Sequence, residues 1–168
     1  MRQLLLGAGN SRVKKMVHEL TPDKEFNPLL TTLDIDPNCG ADYVHNLDRF
    51  PYPFKGESFH EIHAYEVLEH CGSQGDEKFF FAQFNEFWRI LKPGGVFCGS
   101  VPDWKGIWAF GDPGHKRVLP PTVFNFLDES FYEQVGKTAC ADYRYLIKGY
   151  WKCIGIDEGE QVFFLLQK

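Results

Sequence analysis

"LLLGAGNSR", residues 4–12, is an apolar run that breaks at Gly7 and places a second glycine, Gly9, two positions on. Such a run reads as a buried strand passing into a tight turn, because glycine adopts left-handed backbone conformations at no steric cost. Beyond the turn, Val13, Met16, Val17 and Leu20 recur at helical spacing, with Asn10 or Ser11 available as N-cap and Thr21-Pro22 as a stop. Strand, glycine turn and helix in that order predict the opening unit of an α/β sheet.

Working outward, "LLTTLDID" (29–36), "ADYVHN" (41–46) and "FHEIHAYE" (59–66) read as strands. Only "PNCG" separates the first two, too short for an ordinary crossover helix, so the domain looks trimmed there. From Asp76 to Leu91, Phe80, Phe84, Phe87 and Leu91 form one helical apolar face, closed by "KPGG". A strand "VFCGSVPD" (96–103) follows directly. Residues 104–121 have no period and many glycines, prolines and aromatics, which marks a long loop of the kind kept for function. "TVFNFLDESF" (122–131) reads as a helix, and "YRYLIKGYWKCIGI" (143–156) and "QVFFLLQK" (161–168) as two strands joined around "DEGE". This order predicts an α/β class: a single-domain, doubly wound, Rossmann-like, mostly parallel sheet with an antiparallel strand pair at the C-terminus.

The 168 residues, 43% hydrophobic and 24% charged, suit one domain over 1–168. No apolar run approaches the roughly 18 residues of a membrane span, which leads us to expect a cytoplasmic protein with no membrane partner. Five cysteines, odd in number and without a C-x-x-C pair, read as reduced thiols. A net charge of -5 disfavours duplex nucleic acid as a partner.

In an open α/β sheet the ligand sits beyond the carboxyl ends of the strands, here Gly7/Gly9, Asp34/Asp36, Asn46, Tyr65/Glu66 and Pro102/Asp103. Asp34 falls 25 residues after Gly9, near the roughly 20-residue spacing at which an acid meets a ribose. A nucleoside ligand follows. Where a dinucleotide fold needs its third glycine the chain has Arg12, so a ligand without phosphates fits better than a nicotinamide dinucleotide.

In order along the chain, "LLLGAGNSR", "TLDIDP", "ADYVHNLDRFPYPFKGESFHEI", "AYEVLEH" and "FWRILKPGGVFCGSVPD" resemble the successive motifs of class I S-adenosylmethionine-dependent methyltransferases, over about residues 3–103. The resemblance implies S-adenosylmethionine as cofactor and an unidentified methyl acceptor. Gly7, Ala8 and Gly9 would contact the methionine portion, Asp34 or Asp36 would carry the ribose contact, and Ile35 between them would also touch the cofactor. Of these acids Asp34 is favoured, although Asp36 lies on the same face of an extended chain. Asn46 and Leu47 would receive the adenine, and the strand end at Tyr65 and Glu66 would lie beside the sulfonium. Asn46 replaces a common aspartate, and its carboxamide oxygen still accepts a hydrogen bond.

On the acceptor side, His115 in "DPGHKR" is a candidate base, with His70 after the fourth strand a second catalytic candidate. Trp104, Trp108 and Phe110 are candidate walls of a lid. "HEIHAYEVLEH" lacks the H-E-x-x-H spacing of a zinc helix, so no metal is expected. "AYEV" stands where amino-methylating DNA enzymes carry D/N-P-P-Y, which favours a small-molecule acceptor over duplex DNA. Two rivals are a non-catalytic S-adenosylmethionine-binding module and a nicotinamide-dependent oxidoreductase.

Overall fold

Strand β1 (Gln3–Leu6) is buried along its whole length and pairs in parallel with β2 (Thr31–Asp34) on one side and β4 (Phe59–Tyr65) on the other. The computed structural model describes the backbone of all 168 residues and the side chains of all but residues 156–158. β3 (Tyr43–Val44) extends the sheet beyond β2, and β5 (Leu91–Pro102) runs parallel to β4. β7 (Gln161–Gln167) is antiparallel to both β5 and β6 (Lys152–Glu158). Among the described residues the sheet has seven strands in the order β3-β2-β1-β4-β5-β7-β6. The order reverses between β1 and β4, which puts a switch-point crevice at the carboxyl ends of those two strands. No helix is long and apolar enough to cross a membrane among the described residues.

Period-two alternation divides the sheet into two unlike faces. Leu4, Leu6, Ile62, Phe97 and Phe164 enter one large core. Helix α1 (Glu77–Ile90) lays Phe80, Phe84 and Phe87 on it, with the Phe87 and Phe97 ring centroids 4.5 Å apart. Asp76 caps the helix, its carboxylate accepting from the Phe79 N–H at 2.9 Å. We expect Asp76→Ala to destabilise the protein by about 1 kcal/mol. Urea titration should show a lower midpoint at unchanged slope, and an unchanged midpoint would mean that tertiary packing alone sets the start of α1.

Two elements differ from expectation on this side. "TVFNFLDESF" forms two 3₁₀ turns, Pro121–Leu127 and Glu129–Gln134, in place of one helix. Asp128 between them is extended and its carboxylate accepts from Ser130 N–H, restarting the chain as a fresh cap. The first strand of the terminal pair begins at Lys152 and not near Tyr143, because Arg144–Leu146 forms another 3₁₀ turn, with Arg144 paired to Asp142.

The largest departure lies on the other face. Residues 10–20 do not form the expected helix, and Val13, Val17 and Leu20 are exposed. Instead the even-numbered residues turn inward: Lys14 is buried, and Arg12, Met16 and His18 are half-buried. That is the period of extended chain. Two bonds to β4 explain it. The Lys14 ammonium reaches Glu61 at 3.2 Å, and the Met16 N–H, which a helix would commit to the carbonyl of residue 12, donates to the Tyr65 hydroxyl at 3.2 Å. The Tyr65 hydroxyl lies 2.9 Å from His63 Nδ1, and His63 Nε2 lies 2.9 Å from Glu61. Burial holds His63 below its usual pKa, so the neutral ring accepts from Tyr65 and donates to Glu61. This face is thus closed by a strap of chain tied to a buried polar chain.

Candidate active site

The carboxyl ends of β1, β2 and β4 meet the loops after β3 and β4 around a cavity of about 240 Å³. Gly7, Asp34, Ile35, Asn46, Leu47 and His70, six of the residues singled out from sequence, line it. Gly7 has no alternative there: its φ is +58°, and a Cβ would stand 2.3 Å from a Val67 methyl. Gly9, at φ +47°, has open space around it, so the turn requires it for conformation alone.

Asp34 organises the glycine loop. Its Oδ2 accepts from Gly9 N–H at 2.8 Å and its Oδ1 from Asp36 N–H at 2.9 Å. Each oxygen has a second lone pair, so the carboxylate keeps acceptor capacity toward the cavity. Asp36 is exposed, and its Oδ1 is taken by the Asn38 backbone and side-chain amides. Of the two acids, Asp34 is the one that lines the cavity.

Arg12 takes the place of the missing helix start. Its guanidinium donates to the carbonyls of Ala8 at 2.9 Å and Gly9 at 2.7 Å, and reaches those of Cys39 and Gly40. The loop therefore presents no helix N-terminus to a ligand, and a pyrophosphate would lose the dipole and N–H groups that usually hold it.

Other predicted residues lie around the cavity without lining it. Ala8 is buried beside Leu5 and Tyr65. The Tyr65 ring turns to the strap side, where its hydroxyl bonds Met16 N–H and His63. Glu66, with φ +54°, accepts from the Ser100 hydroxyl at 2.8 Å. Trp108 and Phe110 are 66% and 77% exposed and Trp104 is exposed too, so the expected aromatic lid is not folded over the cavity in this conformation. The one-turn helix α2 (Trp108–Gly111) carries the first two of these outward.

The acceptor-side histidines are together. The His70 and His115 rings meet edge to face with centroids 4.7 Å apart, and Glu69 lies beside both. On sequence grounds Glu69 could face the substrate beside His70, or serve only as a cap or core group, and it is not among the candidate site residues. Sequence reasoning missed Lys116, Asp48, Val67, His45 and Cys71, all of which line the cavity. Lys116 Nζ pairs with Asp48 at 3.0 Å, and Asp48 also accepts from Gly72 N–H. Burial pushes the Cys71 thiol up to about 11, too high for a nucleophile at neutral pH. Burial likewise pushes the Glu69 carboxyl up to about 8, with Glu66 adding to the rise. His60 accepts from the Arg2 N–H, well separated in its bonding from the buried His63.

The sequence matches no protein-family model and no curated protein. Solved structures are similar in fold. A S-adenosylmethionine-dependent methyltransferase from Archaeoglobus fulgidus superposes with TM-score 0.60 at 13% identity, over 99% of this chain and 86% of that one. Another from Methanosarcina mazei gives 0.56 at 14%, over 99% and 92%. The 1,6-didemethyltoxoflavin-N1-methyltransferase of Burkholderia thailandensis, solved with S-adenosylhomocysteine, gives 0.55 at 12%, over 99% and 70%. The chain has the fold of class I S-adenosylmethionine-dependent methyltransferases.

Proposed function

We propose that the chain binds S-adenosylmethionine in the Gly7–Asp34 cavity and transfers its methyl group to a small-molecule acceptor. The observation that carries the reading is Asp34: a carboxylate at the carboxyl end of β2 that fixes the glycine loop, lines the cavity and keeps lone pairs for ribose hydroxyls. Ile35, Leu47 and Val67 supply the apolar flanks an adenine needs, with Asn46 at its edge. Gly7, Ala8 and Gly9 would face the methionine portion, and the backbone at Tyr65 and Glu66 the sulfonium.

The cofactor brings an already activated methyl group; in the transfer the sulfur–methyl bond breaks, the acceptor–methyl bond forms, and the acceptor loses a proton. The protein's task is alignment, exclusion of water and acceptance of that proton. His70 and His115 stand on that side, and His70 also lines the cavity. Net charge -5 speaks against a duplex nucleic acid as acceptor, and five free thiols suit the cytoplasm.

Isothermal calorimetry tests the cofactor. Saturable binding of S-adenosylmethionine or S-adenosylhomocysteine is expected, with no heat from NAD or NADP. Tighter binding of either dinucleotide would sink the reading. A non-catalytic binding module is the second reading, favoured by the open aromatic loop. It predicts cofactor binding with no acceptor, across a panel of alcohols, amines and carboxylates, gaining a labelled methyl.

A further inference from the structure

Glu69 is a carboxylate that the fold buries and then leaves without a partner. The residue is 2% exposed, and among the described residues neither side-chain oxygen finds a hydrogen-bond partner. Its nearest cationic candidates are imidazoles, at distances that fit no hydrogen bond: His115 Nε2 lies 3.9 Å and His70 Nε2 4.0 Å from Oε1. Arg117, the buried guanidinium nearby, is turned to the Leu68 carbonyl and the Gln83 side chain. One ligand atom from each of Glu69, His70 and His115 lies within 4.8 Å of the others. The geometry points to a site for one divalent ion of the zinc or manganese class, held by a Glu69 oxygen and one ring nitrogen each from His70 and His115.

The spacing separates this from a direct proton relay. A direct relay has heavy atoms roughly 2.6 to 3.2 Å apart, or one water between them, whereas His115 and His70 stand 3.9 and 4.0 Å from Glu69. Ligands each about 2.0 to 2.2 Å from one ion lie roughly 3.0 to 4.2 Å from one another, which small side-chain rotations reach from the observed positions. The donor set, two nitrogens and one carboxylate, suits a transition metal and not the oxygen-only preference of magnesium or calcium. His70 is already oriented for the task. Its Nδ1 donates to the Gly114 carbonyl at 3.1 Å, which leaves the lone pair on Nε2 facing Glu69. Two different segments supply the ligands, and the backbone latches them. Lys116 N–H and Arg117 N–H both donate to the Glu69 carbonyl, at 2.9 and 3.2 Å, and Arg117 Nε donates to the Leu68 carbonyl. Because three protein ligands leave coordination positions open, and His70 is shared with the Gly7–Asp34 cavity, the ion stands at the rim of that cavity.

The test uses the full chain, untagged and stripped with a chelator. Zinc is followed by calorimetry and Co²⁺ by its visible ligand-field absorption, while circular dichroism checks that each variant folds. One equivalent of either ion should bind, and Glu69→Gln and His115→Ala should each weaken binding at least roughly 100-fold. Should Glu69→Gln fail to fold, His115→Ala carries the same expectation from a loop outside the sheet. Absence of one-equivalent binding overturns the proposal, as does binding that both variants retain, which would locate the ion on the free cysteines. Preference for magnesium over zinc and Co²⁺ overturns the donor assignment. S-Adenosylhomocysteine calorimetry on the same samples reports the cofactor reading separately, so either can fail without the other.

Discussion

Replacing Lys14 with methionine is expected to lower the free energy of unfolding by about 3 to 5 kcal/mol, the cost of leaving a buried charge uncompensated. Lys14 Nζ lies 3.2 Å from Glu61 Oε2, and both side chains are shut off from water. The other donors to Glu61 are Gln3 and His63, and with Lys14 in place burial holds His63 neutral. Chemical denaturation measures the loss. A Lys14→Met/Glu61→Gln double variant should recover most of it, since the stranded charge is gone. If the double variant is no better than the single one, packing by the lysine stem and not its charge holds the strap. Acid should probe the same group. Burial works to raise the Glu61 pKa, but hydrogen bonds from His63 and Gln3 and the charge of Lys14 together hold it at about 2, below its ordinary 4.5. A depressed carboxylate contributes stability in full above 4.5 and loses it as pH falls toward 2.

Asp34→Ala should weaken S-adenosylmethionine binding by about 100-fold or more. Charge-assisted hydrogen bonds contribute about 1.5 to 3 kcal/mol each, and this carboxylate holds both the glycine loop and, in the proposed complex, the ribose. Asp36→Ala should cost roughly tenfold at most, because its side chain is exposed and occupied by Asn38. Calorimetry with the two variants side by side decides the matter. The reverse order of effects would move the ribose contact to Asp36 and leave the fold assignment untouched.

Where an apolar pattern coincided with burial, the sequence was readable. β1, β2, β4 and α1 stand where apolar runs and a phenylalanine stripe put them, and the antiparallel C-terminal pair is present. The glycine loop was readable because close approach and a left-handed backbone restrict the residue type at Gly7, and Asp34 is the strand-end acid that holds that loop. The strap was not, because the apolar residues at 13, 17 and 20 are those left outside. What decides it is a lysine bonded to a glutamate 47 residues away, a pairing that no local period records. Glu69 could be placed beside His70 by sequence, but its meeting with His115 could not, for a similar reason. Beside His70 it is an ordinary dipeptide, and only the return of residues 112–117 onto the Leu68–His70 turn brings His115 against it.

The strap also leaves the two faces of the sheet held by unequal amounts of buried apolar surface. The helical side of the sheet is held by a continuous aromatic core, whereas residues 12–30 contribute only partly buried Met16, Phe26 and Leu30 to small clusters and form no ladder with the sheet. Segments with few buried apolar contacts open far more often than the global unfolding free energy allows. Arg12, which staples the glycine loop, belongs to that more weakly held segment. A ligand that binds only the closed strap draws on its affinity to keep it closed, so occupancy and local folding form one equilibrium.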